Sequence, residues 1–101
     1  NWIFLYIFFE LNLIKELGYD TNLSQNKFKN ININNSIKIK IDNYIYDVPN
    51  FLILKKIPDK FSNTLIKKSL NFTRYFLQNK FFIPNNILFP KSRVILENYF
   101  N

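Results

Sequence analysis

The sequence predicts a mainly α-helical domain carrying a small antiparallel β meander, an α+β fold built as one unit over residues 1–101. Three observations predict it. Ser62–Asn79 places apolar side chains at helical spacing, with no Pro or Gly to interrupt them. Residues 30–48 switch to a period of two, the mark of strands with one face buried. Trp2–Leu17 is apolar for most of its length and stops at Gly18, which can take the left-handed conformation that follows a helix end.

Residues 2–9 are uninterruptedly apolar. A membrane span needs about 20 such residues, and Glu10, Asn12, Lys15 and Glu16 arrive too soon. No cation precedes the run and no small-residue cleavage site follows it, so a signal peptide fits poorly. The segment reads as a core helix. Glu10 falls within its apolar arc, between Leu17 and Ile3. A carboxylate there needs hydrogen bonds or a cation, so a tie to a buried Arg or Tyr hydroxyl is expected.

Tyr19–Lys29 reads as a polar connection. Ile31 and Ile33, then Ile37, Ile39 and Ile41, then Tyr44, Tyr46 and Val48 alternate with polar residues, predicting a three-stranded meander inserted at about 30–48. Asn34-Asn35 and Asp42-Asn43 are the two-residue breaks, because Asn and Asp tolerate the positive φ of hairpin turns. Lys38 and Lys40 share the face opposite the isoleucines and read as solvated edge residues. Phe51–Ile57 is a short apolar piece, helical or extended, closed by Pro58.

The central helix opens at Asp59 or Ser62 and runs to about Lys80. Leu65, Phe72 and Phe76, with Ile66, Thr73 and Leu77 beside them, form its core face. Lys67, Asn71, Arg74 and Gln78 form a polar stripe on the other side. Phe81–Pro90 reads as a loop pinned to the core by Phe82, Ile83, Leu88 and Phe89. Ser92–Phe100 reads as a short helix with Pro90 at its start and Val94, Ile95 and Tyr99 facing inward.

The net charge is +7, and its placement matters more than its size. Residues 1–50 hold five cations and five anions, whereas residues 51–101 hold nine cations against Asp59 and Glu97. The excess could form one electropositive face for a polyanion, or could follow from AT-rich coding, which the abundance of Asn, Ile, Lys and Phe suggests. The chain has no Cys and no His. That removes disulfides, thiolate metal sites and the usual nucleophiles and bases, and the sequence points away from an enzyme. No glycine-rich phosphate loop, repeat or metal-ligand spacing appears, and no cofactor is implied. The start at Asn1 without a Met, inside an apolar run, suggests a piece of something longer.

Several segments together resemble the C-terminal domain of the RecO family of recombination mediators, with the alphaproteobacterial, Rickettsia-like branch nearest. Phe9-Glu10-Leu11-Asn12-Leu13-Ile14-Lys15-Glu16-Leu17-Gly18-Tyr19 with Leu23-Ser24, Pro49-Asn50-Phe51-Leu52, Thr73-Arg74-Tyr75-Phe76-Leu77 and Pro90-Lys91-Ser92-Arg93 carry the likeness, in order along nearly the whole chain. The resemblance implies a cytoplasmic, nucleoid-associated domain that normally follows an OB-fold and acts in repair of DNA damage by recombination. It further implies binding of single- and double-stranded DNA, strand annealing, and work with RecR and single-strand-binding protein in loading RecA. Some relatives carry a four-cysteine zinc site between the first and central helices; the matching region, about 25–48, is Cys-free, so no metal is expected.

The expected nucleic-acid-binding residues are Lys67, Asn71, Arg74 and Gln78 along the stripe, Lys68 at its flank, and Lys80, Lys91 and Arg93 extending the patch. Arg74 is foremost, since a guanidinium grips phosphate or carboxylate bidentately. The alternatives are a module that docks the acidic, hydrophobic tail of single-strand-binding protein without touching DNA, with Phe81, Phe82 and Phe89 as groove walls, and a purely structural domain.

Overall fold

A computed structural model describes residues 2–24, 28, 30–60 and 62–101. The order is α1 (Trp2–Glu16), β1 (Ser36–Ile41), β2 (Tyr44–Pro49), α2 (Asn50–Leu54), α3 (Asn63–Phe76), a π-helical segment (Leu77–Phe82) and α4 (Lys91–Tyr99). It is a mainly helical α+β fold with one small antiparallel sheet. Gln25–Lys27 and Lys29, from the expected polar connection, lie outside the described residues, as does Asn1.

α1 ends as its sequence dictates. Gly18 sits at φ +92. Its N–H donates to Lys15 O (2.9 Å) and the Tyr19 N–H reaches back to Ile14 O (3.2 Å), so two carbonyls at the helix end are satisfied in a Schellman motif. Ile3, Phe4, Ile7 and Ile14 bury one side of the helix.

The strand insert differs from expectation. β1 and β2 pair antiparallel from Ser36↔Pro49 to Ile41↔Tyr44, turning at Asp42-Asn43, both with positive φ (50 and 72) as a two-residue primed turn requires. The third strand expected at Ile31–Ile33 does not form. Its asparagines satisfy the backbone locally instead: Asn32 Oδ1 accepts from the Asn34 N–H (2.8 Å), and Asn32 O accepts from the Asn35 N–H (3.1 Å) and from Asn50 Nδ2 (2.7 Å). Side-chain bonds of this kind compete with a ladder and favour turns.

α3 is the centre of the packing. Ser62 caps it, its hydroxyl accepting from the Leu65 N–H at 3.3 Å. Ile66, Leu70, Phe72, Tyr75 and Phe76 are buried. Its rings meet edge-on, Phe72 with Phe76 (5.3 Å) and Tyr46 of β2 with Phe72 (6.2 Å). Phe51 of α2 meets Phe4 and Phe8 of α1 the same way (5.4 and 6.0 Å). Removing one such buried ring costs about 3–5 kcal/mol.

The α-helix does not continue to Lys80. Beyond Phe76 the bonds stretch to five residues, as in Ile83 N–H to Gln78 O at 2.9 Å. Phe82 and Phe89 are half-buried as expected, but Ile83 is exposed and Leu88 is 91% exposed, so these two do not pin the loop. α4 is also rotated from the expected face. Arg93, Glu97 and Phe100 turn inward, while Ile95 and Tyr99 point to solvent. The apolar positions misled because two charged side chains belong to the interior.

Candidate functional site: a buried ionic junction and an apolar groove

The interior that rotates α4 is a junction of three helices. Arg93 clamps Glu10 of α1 with two donors, Nε to Oε2 (2.6 Å) and Nη2 to Oε1 (3.0 Å). The same Nη2 lies 3.0 Å from Leu70 O of α3. Thr73 Oγ1 donates to Glu10 Oε1 (2.7 Å), and Tyr6, one turn before Glu10, donates its hydroxyl to Oε2 (2.8 Å). Burial and the Glu10 carboxylate push the Tyr6 phenol up to about 12. Glu97 lies 3.8 Å from Arg93 Nη1 and accepts from Arg74 Nη1 at 2.8 Å. Two carboxylates thus meet two guanidinium groups, so the junction is neutral. Phe89 lies under both arginines, 5.4 Å from Arg74 and 5.9 Å from Arg93. The tie expected for Glu10 is present with both expected partner types, an Arg and a Tyr hydroxyl. The arrangement ties three helices together through paired side chains.

This junction takes the expected phosphate track apart. Arg93 is buried on Glu10 and is withdrawn from the interface, because freeing it would strand a buried carboxylate. Arg74 is held by Glu97, with its Nε donating to Gln78 Oε1 (3.1 Å). Lys67 reaches Glu97 O at 3.2 Å. Two of the four stripe positions, Lys67 and Arg74, therefore reach α4, Gln78 holds Arg74 from the π-helical segment, and Asn71 alone of the four is exposed. Lys68 pairs with Asp47 of β2 and Lys80 with Asp42 of the hairpin turn, both at 2.7 Å. Lys68 holds the Asp47 carboxyl, and Lys80 with Tyr75 the Asp42 carboxyl, below their ordinary range. Exposed pairs of this kind are weak and still open to other anions. Lys91 is exposed at the start of α4. Four of the nine second-half cations are thus paired with carboxylates, and the single electropositive face expected from their number is not what α3 presents.

Sequence reasoning missed a concavity among the described residues. A groove of about 790 Å³ opens between α1, the connection after it, and α2. Phe8 and Leu11, half-buried, line it with apolar surface over the buried Leu23 and Leu52, and Lys15 and Lys55 line it with positive charge. Neither lysine forms an ion pair among the described residues. Asp20 is the one carboxylate in the lining, and its Oδ1 accepts from the Asn22 N–H at 2.8 Å. Lys55 ends α2 in the left-handed region (φ 56, ψ 40), its N–H closing on Phe51 O at 2.8 Å. A non-Gly residue there is strained by about 1–2 kcal/mol. Only one wall of it was legible in the sequence: Lys15 falls on the α1 wheel beside Leu11 and Phe8, about a quarter of a turn from the centre of the buried face. Phe81, Phe82 and Phe89, the expected groove walls, stack on one another instead and line none of it.

Among the described residues no three Asp or Glu side chains gather as metal ligands, and no helix is long and apolar enough to cross a membrane. No family model, no curated protein and no solved structure matches the chain.

Proposed function

We propose that this chain is an accessory docking domain of the recombination-mediator type, and that it holds an acidic, apolar-ended protein segment in the groove between α1 and α2. The observation that carries the reading is the pairing of an apolar lining, Phe8 and Leu11 over the buried Leu23 and Leu52, with Lys15 and Lys55, two cations unpaired among the described residues. An apolar side chain would enter between Phe8, Leu11 and Leu52 while neighbouring carboxylates meet the lysines, a helix-and-pocket mode of peptide capture. The groove falls within the common size range of ligand sites, about 300–1,000 Å³. The mediator reading itself rests on the resemblance to RecO C-terminal domains. It is supported by the meeting of three of the segments that carry it, at Glu10, Thr73-Arg74 and Arg93. In such a setting the segment would be the tail of single-strand-binding protein, with a role in RecA loading and strand annealing in the cytoplasm.

A second reading keeps direct DNA contact but moves it off α3. Lys55, Lys56 and Lys60 are all exposed within a few residues of one another after α2. They would position a phosphate backbone without reading sequence.

One titration tests both. Labelled acidic peptide with an apolar end and labelled single-stranded DNA are each titrated at two salt concentrations. Peptide binding that Lys15→Glu abolishes supports the docking reading. Steeply salt-dependent DNA binding lost in Lys56→Glu/Lys60→Glu supports the second. Silence in both titrations leaves the domain a scaffold.

A further inference from the structure

α1 is apolar on every side. Ile3, Phe4, Ile7 and Ile14 face the core, and Phe8 and Leu11 face the groove. A helix of this kind is ordinarily buried all round. Yet Trp2, Leu5, Phe9 and Leu13, spaced i, i+3, i+7 and i+11 on its third side, are exposed, the first three at 59–63%. α4 runs antiparallel to α1, with Phe100 at Trp2 (ring centroids 6.5 Å) and Arg93 at the buried Glu10, and meets this row at Trp2. It adds Ile95 and Tyr99, 68% and 77% exposed. Trp2, Ser92, Ile95, Leu96 and Tyr99 line a shallow groove of about 320 Å³ where the two helices meet.

The six exposed side chains present roughly 700 Å² together, taking about 200 Å² for each aromatic and somewhat less for each aliphatic. That exceeds the 300–600 Å² or so of the largest patch on a typical monomer. It approaches the roughly 800 Å² each partner gives to a stable protein–protein interface. None of the six is charged, so an acidic peptide or a phosphate backbone finds nothing there to pair with. A second copy of the same face does fit: Glu16, exposed, continues the row only at its far end, past Leu13, and the contact centre brings together none of the like charges of a +7 chain. We infer that the chain forms a two-fold homodimer through the α1–α4 face, the two helices of one copy packing on the two of the other. This is independent of the docking reading, whose residues lie about a third of a turn away around α1.

Sedimentation velocity of the 101-residue chain, from micromolar to several hundred micromolar, tests it. A monomer–dimer equilibrium is expected, and Leu5→Lys/Ile95→Lys should raise the dissociation constant at least about tenfold. Circular dichroism and thermal midpoint should stay near those of the parent, since both sites are exposed. The chain has no cysteine, so Ile95→Cys should oxidise to a covalent dimer much faster than Asn71→Cys on α3. A chain that stays monomeric throughout, a dimer indifferent to the two lysines, or equal cross-linking at Ile95 and Asn71 would overturn the inference. So would uptake by neutral phosphatidylcholine vesicles of a chain that remains monomeric.

Discussion

Glu10 and Arg93, 83 residues apart in sequence, form a bidentate ion pair in which both side chains are almost fully buried. The pair fixes which side of α4 faces inward and so removes Arg93 from the surface, and it sets Glu97 where it pairs with the half-buried Arg74. Breaking a buried pair by removing one partner costs about 3–5 kcal/mol, whereas replacing both with apolar groups of similar volume is often close to neutral. Glu10→Leu and Arg93→Met should each fall in that range, and the double variant should cost far less than the two added together. Urea denaturation of the four proteins measures the coupling. Additive losses would mean that the two groups do not support each other.

Much of this fold was legible from spacing. Gly18, the primed turn at Asp42-Asn43, the Ser62 cap and the core row of α3 each rest on local chemistry that the sequence states outright. The third strand was lost because Asn32 supplies turn bonds that alternation cannot reveal. α4 was misread because its inward face is Arg93 and Glu97, and their partners lie on other helices. Of the stripe of Lys67, Asn71, Arg74 and Gln78, Lys67 and Arg74 reach Glu97 of α4, a cover that is tertiary information and that helical spacing does not carry. For the same reason the Lys15–Lys55 groove, assembled from segments some 40 residues apart, had no visible signal as a unit.

Lys55 combines strain with charge. Lys55→Gly relieves the left-handed conformation, offset by the greater freedom of Gly in the unfolded chain, and should stabilise the domain by about 0.5–1 kcal/mol. It should also weaken peptide binding, because one of two groove cations is gone. A thermal scan and a peptide titration on the same sample check both. A less stable variant would mean that the Lys55 stem packs more than it strains.

The hairpin turn sets a pH dependence. Lys80 and then Tyr75 hold the Asp42 carboxyl below its usual value, and that hydrogen bond, with burial, pushes the Tyr75 phenol up to about 12. A lowered carboxyl contributes stability that is present above the unfolded value near 4 and lost as pH falls through the folded value. A raised phenol contributes stability fully present below about 10 and lost as pH rises toward 12. Tyr6 behaves in the same alkaline sense. The urea midpoint should therefore be flat near neutrality and fall at both ends. Asp42→Asn should soften both limbs, the acid one because its lowered carboxyl is gone and the alkaline one because Tyr75 loses the hydrogen bond that raises it; unchanged limbs would contradict the assignment.

The Ser62 hydroxyl is the side-chain cap of α3. Ser62→Ala should cost about 1 kcal/mol and Ser62→Asp little or nothing, because Asp caps equally well and favours the positive helix end. Chemical denaturation separates them. Equal losses would place the effect in packing instead of capping.

The central claim is that the groove cations are available to a partner and those of the α3 stripe are not. Fluorescence anisotropy of a labelled acidic, apolar-ended peptide against the parent, Lys15→Glu and Arg74→Gln tests it most directly, with each variant first shown to be folded. The account predicts binding to the parent and to Arg74→Gln, and loss of at least about tenfold in affinity with Lys15→Glu. Binding that survives Lys15→Glu but disappears with Arg74→Gln would contradict it.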